Sequence, residues 1–247
     1  MTTQTQRSVR DGMLHAAVDL LNSQGPDALQ TRKVAGAAGT STMAVYTHFG
    51  GMRPLIAAVA KEGLRQFDAA LTIPLTEDPV ADLFVIGAAY RRYAIERPHM
   101  YRLMFGSTSA HGINAPTTNL LTQTVAELEQ RYPSFAHLVR VVHRSVVAGR
   151  ITVGAADNDP ADAAVVATAA QVWASIHGFV MLELAGFYGD DGAAVAPVLT
   201  AMTSNLLVAL GDSPERVTNS QRSASARGAH TKPPGPSAEA VPGVARN

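Results

Sequence analysis

Apolar positions recur at three- and four-residue spacing along nearly the whole chain, the period of helices that bury one face. Val9, Met13, Ala17 and Leu20/Leu21 form a first stripe. It starts near Ser8, which with Asp11 is spaced as a capping box, and stops over 22–26. Val34, Ala35 and Ala38 predict a short helix, opened by Thr31 as its cap and closed by Gly39 in the left-handed position. Ser41 is placed to cap a third helix over Thr42 to about Phe49. A longer one runs from about Gly51 to Leu71, with Leu55, Ile56, Val59, Ala60, Leu64 and Phe67 on a broad apolar face. Its Pro54 falls in the first turn, where a missing N–H breaks no intrahelical bond. Residues 72–79, with two prolines and two acids, mark a boundary.

Beyond it the helical period continues. It predicts helices over 80–96, 117–132 (Leu121, Val125 and Leu128 inward), 135–153, about 160–184 and 192–210, with a short apolar turn or helix over 99–105 and a loop over 106–116. No segment requires a strand. From Ser213 the chain is rich in Ser, Ala, Pro, Gly and Arg and has too few apolar side chains to order itself. The expected architecture is all-α: a three-helix helix-turn-helix unit over 1–70, a larger helical unit over 71–212 and a disordered tail over 213–247.

The stretch 31–55 carries the first chemistry. Two helices joined by so short a turn cross steeply, the helix-turn-helix arrangement. On the second helix Val45 and Phe49 fall together as core anchors. Met43, Ala44 and Thr47 lie opposite, with Tyr46 and His48 on the flanks, and this outer face has no acid. Small and apolar groups such as Ala44, Met43 and the methyls of Thr42 and Thr47 suit thymine methyls, while hydroxyls and imidazole suit phosphate. Thr31, Arg32 and Lys33 sit at a helix start, where backbone N–H groups also favour phosphate. A short helix in an all-helical core has the same pattern, so these residues alone leave both readings open.

The run TRKVAGAAGTSTMAVYTHF over 31–49, followed by a helix, resembles the DNA-binding domain of the TetR/AcrR family of bacterial transcription regulators. The likeness spans about Arg7 to Leu71. It implies base-edge contacts from Arg32, Thr42, Met43 and Ala44, and phosphate contacts from Lys33, Tyr46, Thr47 and His48. Thr31 and Ser41, at the two helix starts, complete the set. The family often places a Lys at the start of the next helix; Gly51 and Met52 stand there, with Arg53 adjacent as a replacement grip. Two further stretches, YRRYAIERPHMYRLMF over 90–105 and WASIHG over 173–178, resemble the C-terminal domain of a TetR subgroup named for a Trp-His-Gly motif. That likeness is looser. It implies an all-helical domain that dimerises through its last long helices and holds an inducer pocket.

Trp173 and His177 stand four apart and share a helix face. With Tyr90, Met100, Met104, Phe105 and Met181 they form a candidate ligand-binding set, since Met and aromatic side chains make adaptable apolar walls. An ordinary core with a hydrogen-bonded His177 is the competing reading. His143, with Arg144, interrupts an apolar helix; it is a candidate for a polar ligand end, or an exposed group at a dimer edge.

Composition narrows the class. The chain lacks cysteine, so neither a disulfide framework nor a thiolate metal site is expected. The histidines show no metal spacing, and no nucleophile elbow, Walker loop or dinucleotide fingerprint occurs, so neither a metal, a cofactor nor an enzyme activity is expected. No membrane span and no signal peptide are expected, which suits a cytoplasmic protein. The zero formal net charge hides an asymmetry: seven Lys/Arg against five acids over 1–70, eight against thirteen over 71–212, five against two from 213. Only the ends suit a polyanion, and the modest excess of the first unit favours two copies on one duplex.

These observations give a homodimeric, DNA-binding transcription regulator, a repressor released from a near-palindromic operator by a small apolar or amphipathic effector. An activator on the same fold is equally consistent. From a different class, a helical ligand carrier or enzyme that has lost DNA binding would explain the missing Lys near Met52.

Overall fold

The computed structural model describes residues 2–105, 119–154 and 161–230, and among these every regular element is helical. The reading head comprises α1 (Thr2–Gln24), α2 (Thr31–Ala37), α3 (Thr42–Phe49) and the start of α4 (Met52–Leu71). Met13, Ala17, Leu21, Val34, Val45, Leu55 and Val59 close its core and are fully buried. Two local expectations shift. The first helix begins at Thr2, ahead of the predicted capping box at Ser8. The second is capped by no side chain: Gln30 holds the extended cap position and Thr31 is already the first helical residue. Ser41 does cap α3, its Oγ accepting from the Ala44 N–H at 3.3 Å. Gly39 (φ 62°) and Gly50 (φ 78°) take the left-handed conformation that ends α2 and α3.

α4 leaves the head and enters the body. Its Gly63 is required by a close approach: a Cβ there would lie 2.4 Å from Met100 Sδ and 2.9 Å from Met104 Sδ. The Tyr93 hydroxyl also donates to the Gly63 carbonyl at 3.0 Å, fixing α4 against the next helix. α5 (Pro79–Glu96) is the centre of the body and is buried on most of its circumference, through Leu83, Ile86, Tyr90, Tyr93 and Ala94. Around it pack α6 (Pro98–Phe105), α8 (Pro133–Val147) and α9 (Ala161–Leu184). A π turn at Val195–Thr200 leads into α10 (Ala201–Ala209).

The helix expected over 117–132 is instead a 3₁₀ turn at Leu120–Thr122 and a short α7 (Val125–Arg131), begun by a Thr124/Glu127 capping box. Leu121 points outward at 51% exposure, while Leu128 is fully buried. α8 stops at Val147, because Gly149 (φ 61°) turns the chain before 150–153. The loop expected over 106–116 and the Asp159–Pro160 start of α9 lie outside the described residues.

The disordered tail expected over 213–247 is the main correction as far as His230, while 231–247 lie outside the described residues. Pro214–His230 forms α11, laid along α5. Its composition is poor in apolar groups, so the apolar criterion gave the wrong state. The helix is held by small side chains and buried charge instead. Val217, Ser220 and Ala224 form its inward stripe. Arg150 bridges Asp212 (2.7 Å), Asp78 (2.8 Å) and Ser220 (3.0 Å). Asp78 caps α5 by accepting from the Val80 and Ala81 N–H groups, and also accepts from Ser220 Oγ at 2.7 Å. One turn on, Asp82 is fully buried and accepts from Arg144 and Arg227, both at 2.7 Å, and from the Thr76 N–H and hydroxyl. Arg227 also reaches the Pro74 carbonyl, and Arg144 that of Thr76.

Among the described residues one helix, Asp162–Leu184, is long and apolar enough to cross a membrane by length and composition, which differs from the expectation of no span. Val165, Val166, Ala169, Ile176, Phe179 and Val180 bury its inner face against the body.

Candidate nucleic-acid interface and effector cavity

The two helices of the head present a continuous basic and acid-free surface. No Asp or Glu falls between Asp27 and Glu62. Val45 is fully buried, which turns Met43 (68% exposed) and Tyr46 (57% exposed) outward. Thr42 and Thr47 are exposed beside them, and Ala44 and His48 are half-buried on the flanks. Arg32, Lys33, Ser41 and Arg53 are exposed, and Thr31 is half-buried. Ten of the eleven candidate positions therefore lie on α2, α3 or the Ser41 cap and Arg53 lies in the first turn of α4; none is fully buried, though Ala44 packs partly against the core. Thr47 carries a restriction invisible in the sequence: its hydroxyl donates to the Met43 carbonyl at 3.1 Å, so it must rotate to donate to a phosphate. Gly51 is buried beneath the Tyr46 ring, where a Cβ would lie 3.8 Å from that ring. At the same C-terminal end of α3, the Arg10 guanidinium lies 4.7 Å from the Phe49 ring centroid, linking α1 to α3.

Behind the head lies a cavity of about 560 Å³, lined from α1, α4, α5, α6, α7, α8 and α9. Its inner wall is apolar and aromatic: Leu14, Leu64, Phe67, Phe105, Phe135, Leu138, Tyr90 and Trp173. Its rim carries Arg10, Lys61, Glu62, Arg65, Asp68 and Arg131. Of the eight side chains expected to bind ligand, Tyr90, Phe105 and Trp173 line it. Met100 and Met104 do not: they are buried against Gly63 and serve as packing. His143 is exposed on α8 and faces solvent, because Val139, Val142 and Ser145 take the inward positions. His177 and Met181 are half-buried behind the wall. The residues that sequence reasoning missed, Phe67 and Leu64 on α4 and Phe135 and Leu138 on α8, carry an ordinary core pattern. Only the spacing between those helices makes them cavity walls.

A closed relay of hydrogen bonds stiffens the inner wall. Trp173 Nε1–H donates to the Tyr90 hydroxyl at 3.1 Å, and the Tyr90 and Tyr101 hydroxyls are 2.8 Å apart. The Tyr101 hydroxyl lies 2.7 Å, and that of Tyr90 3.2 Å, from His177 Nδ1. Burial pushes the Tyr90 phenol up to about 12 and that of Tyr101 further in the same direction, so both keep their protons. Burial also lowers the His177 pKa. A neutral His177 accepting at Nδ1 then satisfies the whole chain: Trp173 to Tyr90 to Tyr101 to His177.

The match to known proteins follows the same division. Residues 13–59 match the family described as "Bacterial regulatory proteins, tetR family", and residues 83–206 match "Tetracyclin repressor-like, C-terminal domain". Neither description carries the Trp-His-Gly subgroup, which stays an expectation from residues 173–178. The class A tetracycline repressor protein from transposon 1721 of Escherichia coli is 38% identical over 77 residues, 31% of this chain and 35% of that protein. The alignment thus spans about a third of the length of that relative. A Rhodococcus sp. RHA1 protein of unknown function superposes with a TM-score of 0.62 at 27% identity, covering 83% of this chain and 96% of that one. RolR, solved in complex with resorcinol, superposes with a TM-score of 0.58 at 16% identity, covering 90% and 95%, a likeness of fold alone.

Proposed function

The chain belongs to the TetR family of bacterial regulatory proteins, and we propose that it acts as a homodimeric repressor whose α3 helices read operator DNA and whose cavity holds the releasing effector. Members of this family are DNA-binding regulators rather than enzymes. One observation carries the reading: a capped, amphipathic α3 whose buried Val45 leaves Met43 and Tyr46 facing out from an acid-free surface. Arg32, Thr42, Met43 and Ala44 contact base edges; Thr31, Lys33, Ser41, Tyr46, Thr47, His48 and Arg53 position the head on phosphates. The second copy docks on the apolar groups that α9, α10 and their connection leave exposed, Leu182, Phe187, Met202 and Val208. Two α3 helices then enter successive major grooves of a near-palindrome roughly 34–36 Å apart. The domains divide at 72–78, and α11 is a strap on the second of them. The chain works in the cytoplasm, where its duplex lies.

The cavity is placed to control that spacing. α4 forms both its wall and the connection to the head, and α1 contributes Arg10 and Leu14. An effector with different affinity for the two settings of α4 shifts the head; coupling of about 1–3 kcal/mol weakens operator binding roughly 5–150-fold.

Tyr46→Phe tests the interface. A lost phosphate hydrogen bond costs about 0.5–1.5 kcal/mol. Two copies per duplex make the expected loss roughly 5- to 150-fold, the same for the upstream DNA of its own gene and for unrelated duplexes. A loss confined to one sequence, or no loss, contradicts the role of Tyr46 as a phosphate contact.

A further inference from the structure

We propose that the effector is an apolar organic anion, its body against Phe67, Phe105 and Trp173 and its charged end among Arg10, Lys61 and Arg131. The inference rests on the cavity being the effector site. On the aromatic wall the Trp173 N–H and the Tyr90 and Tyr101 hydroxyl protons are spent within their own relay. Polar parts of a ligand therefore gain nothing there, and the deep end selects an apolar body.

The rim is different. Four cations and two acids line it. Both acids are already engaged. Glu62 accepts a bidentate pair from Arg65 at 2.7 and 2.8 Å and a further hydrogen bond from Gln66, and Asp68 pairs with His137 at 2.9 Å. That also occupies Arg65. Among the described residues no carboxylate lies within ion-pair distance of Lys61 or Arg131, and the nearest to Arg10 is Asp11 at 4.0 Å. The sequence between the lining residues Phe105 and Leu120 contains no Asp or Glu. Lys61, with no carboxylate at ion-pair distance among the described residues, thus lines the apolar cavity together with Arg131, whose charge also helps to lower the Glu127 pKa, and Arg10, which Asp11 approaches only at 4.0 Å. This arrangement repels a cationic ligand, is indifferent to a neutral one and attracts an anion. Because Arg10 belongs to α1 and lies over Phe49, an anion reaching it engages the head itself.

Two probes of matching ring system separate the possibilities: 8-anilino-1-naphthalenesulfonate and its neutral counterpart N-phenyl-1-naphthylamine. Trp173 is the single tryptophan, so its quenching in the full-length chain reports occupancy of this cavity. The neutral probe is the more hydrophobic and would bind more tightly to an uncharged cavity. The expected result is the reverse, with the sulfonate roughly tenfold tighter at low ionic strength and its advantage shrinking as salt is added. In the double variant Lys61→Met/Arg131→Gln the advantage falls at least threefold, roughly the worth of one exposed pair, while the neutral probe binds as before. Equal affinities, or an advantage unchanged in the double variant, overturn the anion inference and leave the cavity standing. If neither probe quenches Trp173 in the folded chain, the effector-cavity reading falls, and the inference with it.

Discussion

Replacing Asp82 with alanine is expected to destabilise the protein by about 3–5 kcal/mol, a fall in Tm of roughly 6–20 °C for a chain of this size. The carboxylate is fully buried and holds two guanidinium groups from different helices, Arg144 on α8 and Arg227 on α11, together with the loop residue Thr76. Its removal leaves two cations without their buried counter-charge. It also frees α11, whose inward face has little apolar area to hold it. The variant should therefore lose protection of α11 amide hydrogens before that of the rest of the body, and a uniform loss would contradict the strap. Acid should act in the same direction. Burial raises the Asp82 carboxyl pKa, but the Thr76 N–H and hydroxyl with Arg144 and Arg227 outweigh it and hold the group below the usual carboxylate range. Asp78 is depressed likewise, where Ser220, the Ala81 N–H and Arg150 outweigh burial. A carboxylate with a depressed folded pKa adds stability that is fully present above its unfolded value and lost as pH falls through the folded one. Thermal melts of the natural chain should thus fall steeply below about pH 4, while Asp82→Ala should show a shallower acid slope.

Arg32→Ala is expected to cost operator affinity about 1–3 kcal/mol per half-site, or roughly 2–6 kcal/mol for a dimer on both half-sites. Arg32 is exposed in the first turn of α2. The base-edge role predicts more than weaker binding. Sequences selected from random duplexes should lose their preference at one symmetric pair of positions and keep it elsewhere. A variant that binds all duplexes equally less well would move Arg32 to the phosphate group of contacts. The fold should be untouched, since this side chain lies outside the core.

The reading head was legible because its determinants are local. Gly39, Ser41, Val45 and the helical period between them settle two helices and their crossing with no knowledge of distant contacts, and the family resemblance then supplied the contact roles. The body was legible only as helices. Phe67 and Phe135 repeat like core residues, and the gap between α4 and α8 that turns them into cavity walls is set by packing far apart in sequence. Met100 and Met104 looked like adaptable pocket side chains but fill the space that Gly63 leaves. His143 broke an apolar run, and the structure resolves that break as an exposed position. The hardest element was α11. Composition weighs apolar area, whereas this helix is fixed by Arg150, Asp78, Asp82 and Arg227, partners up to 145 residues apart.

The central claim is that two copies of α3 read one duplex together. Selection of random duplexes by the full-length protein at low ionic strength, with the stoichiometry of the selected complex measured alongside, tests it most directly. The account predicts a near-palindromic motif with half-site centres about one helical turn, ~34–36 Å, apart, bound by two protomers. An enriched site without symmetry bound by a single protomer, or no enrichment at all, would contradict it.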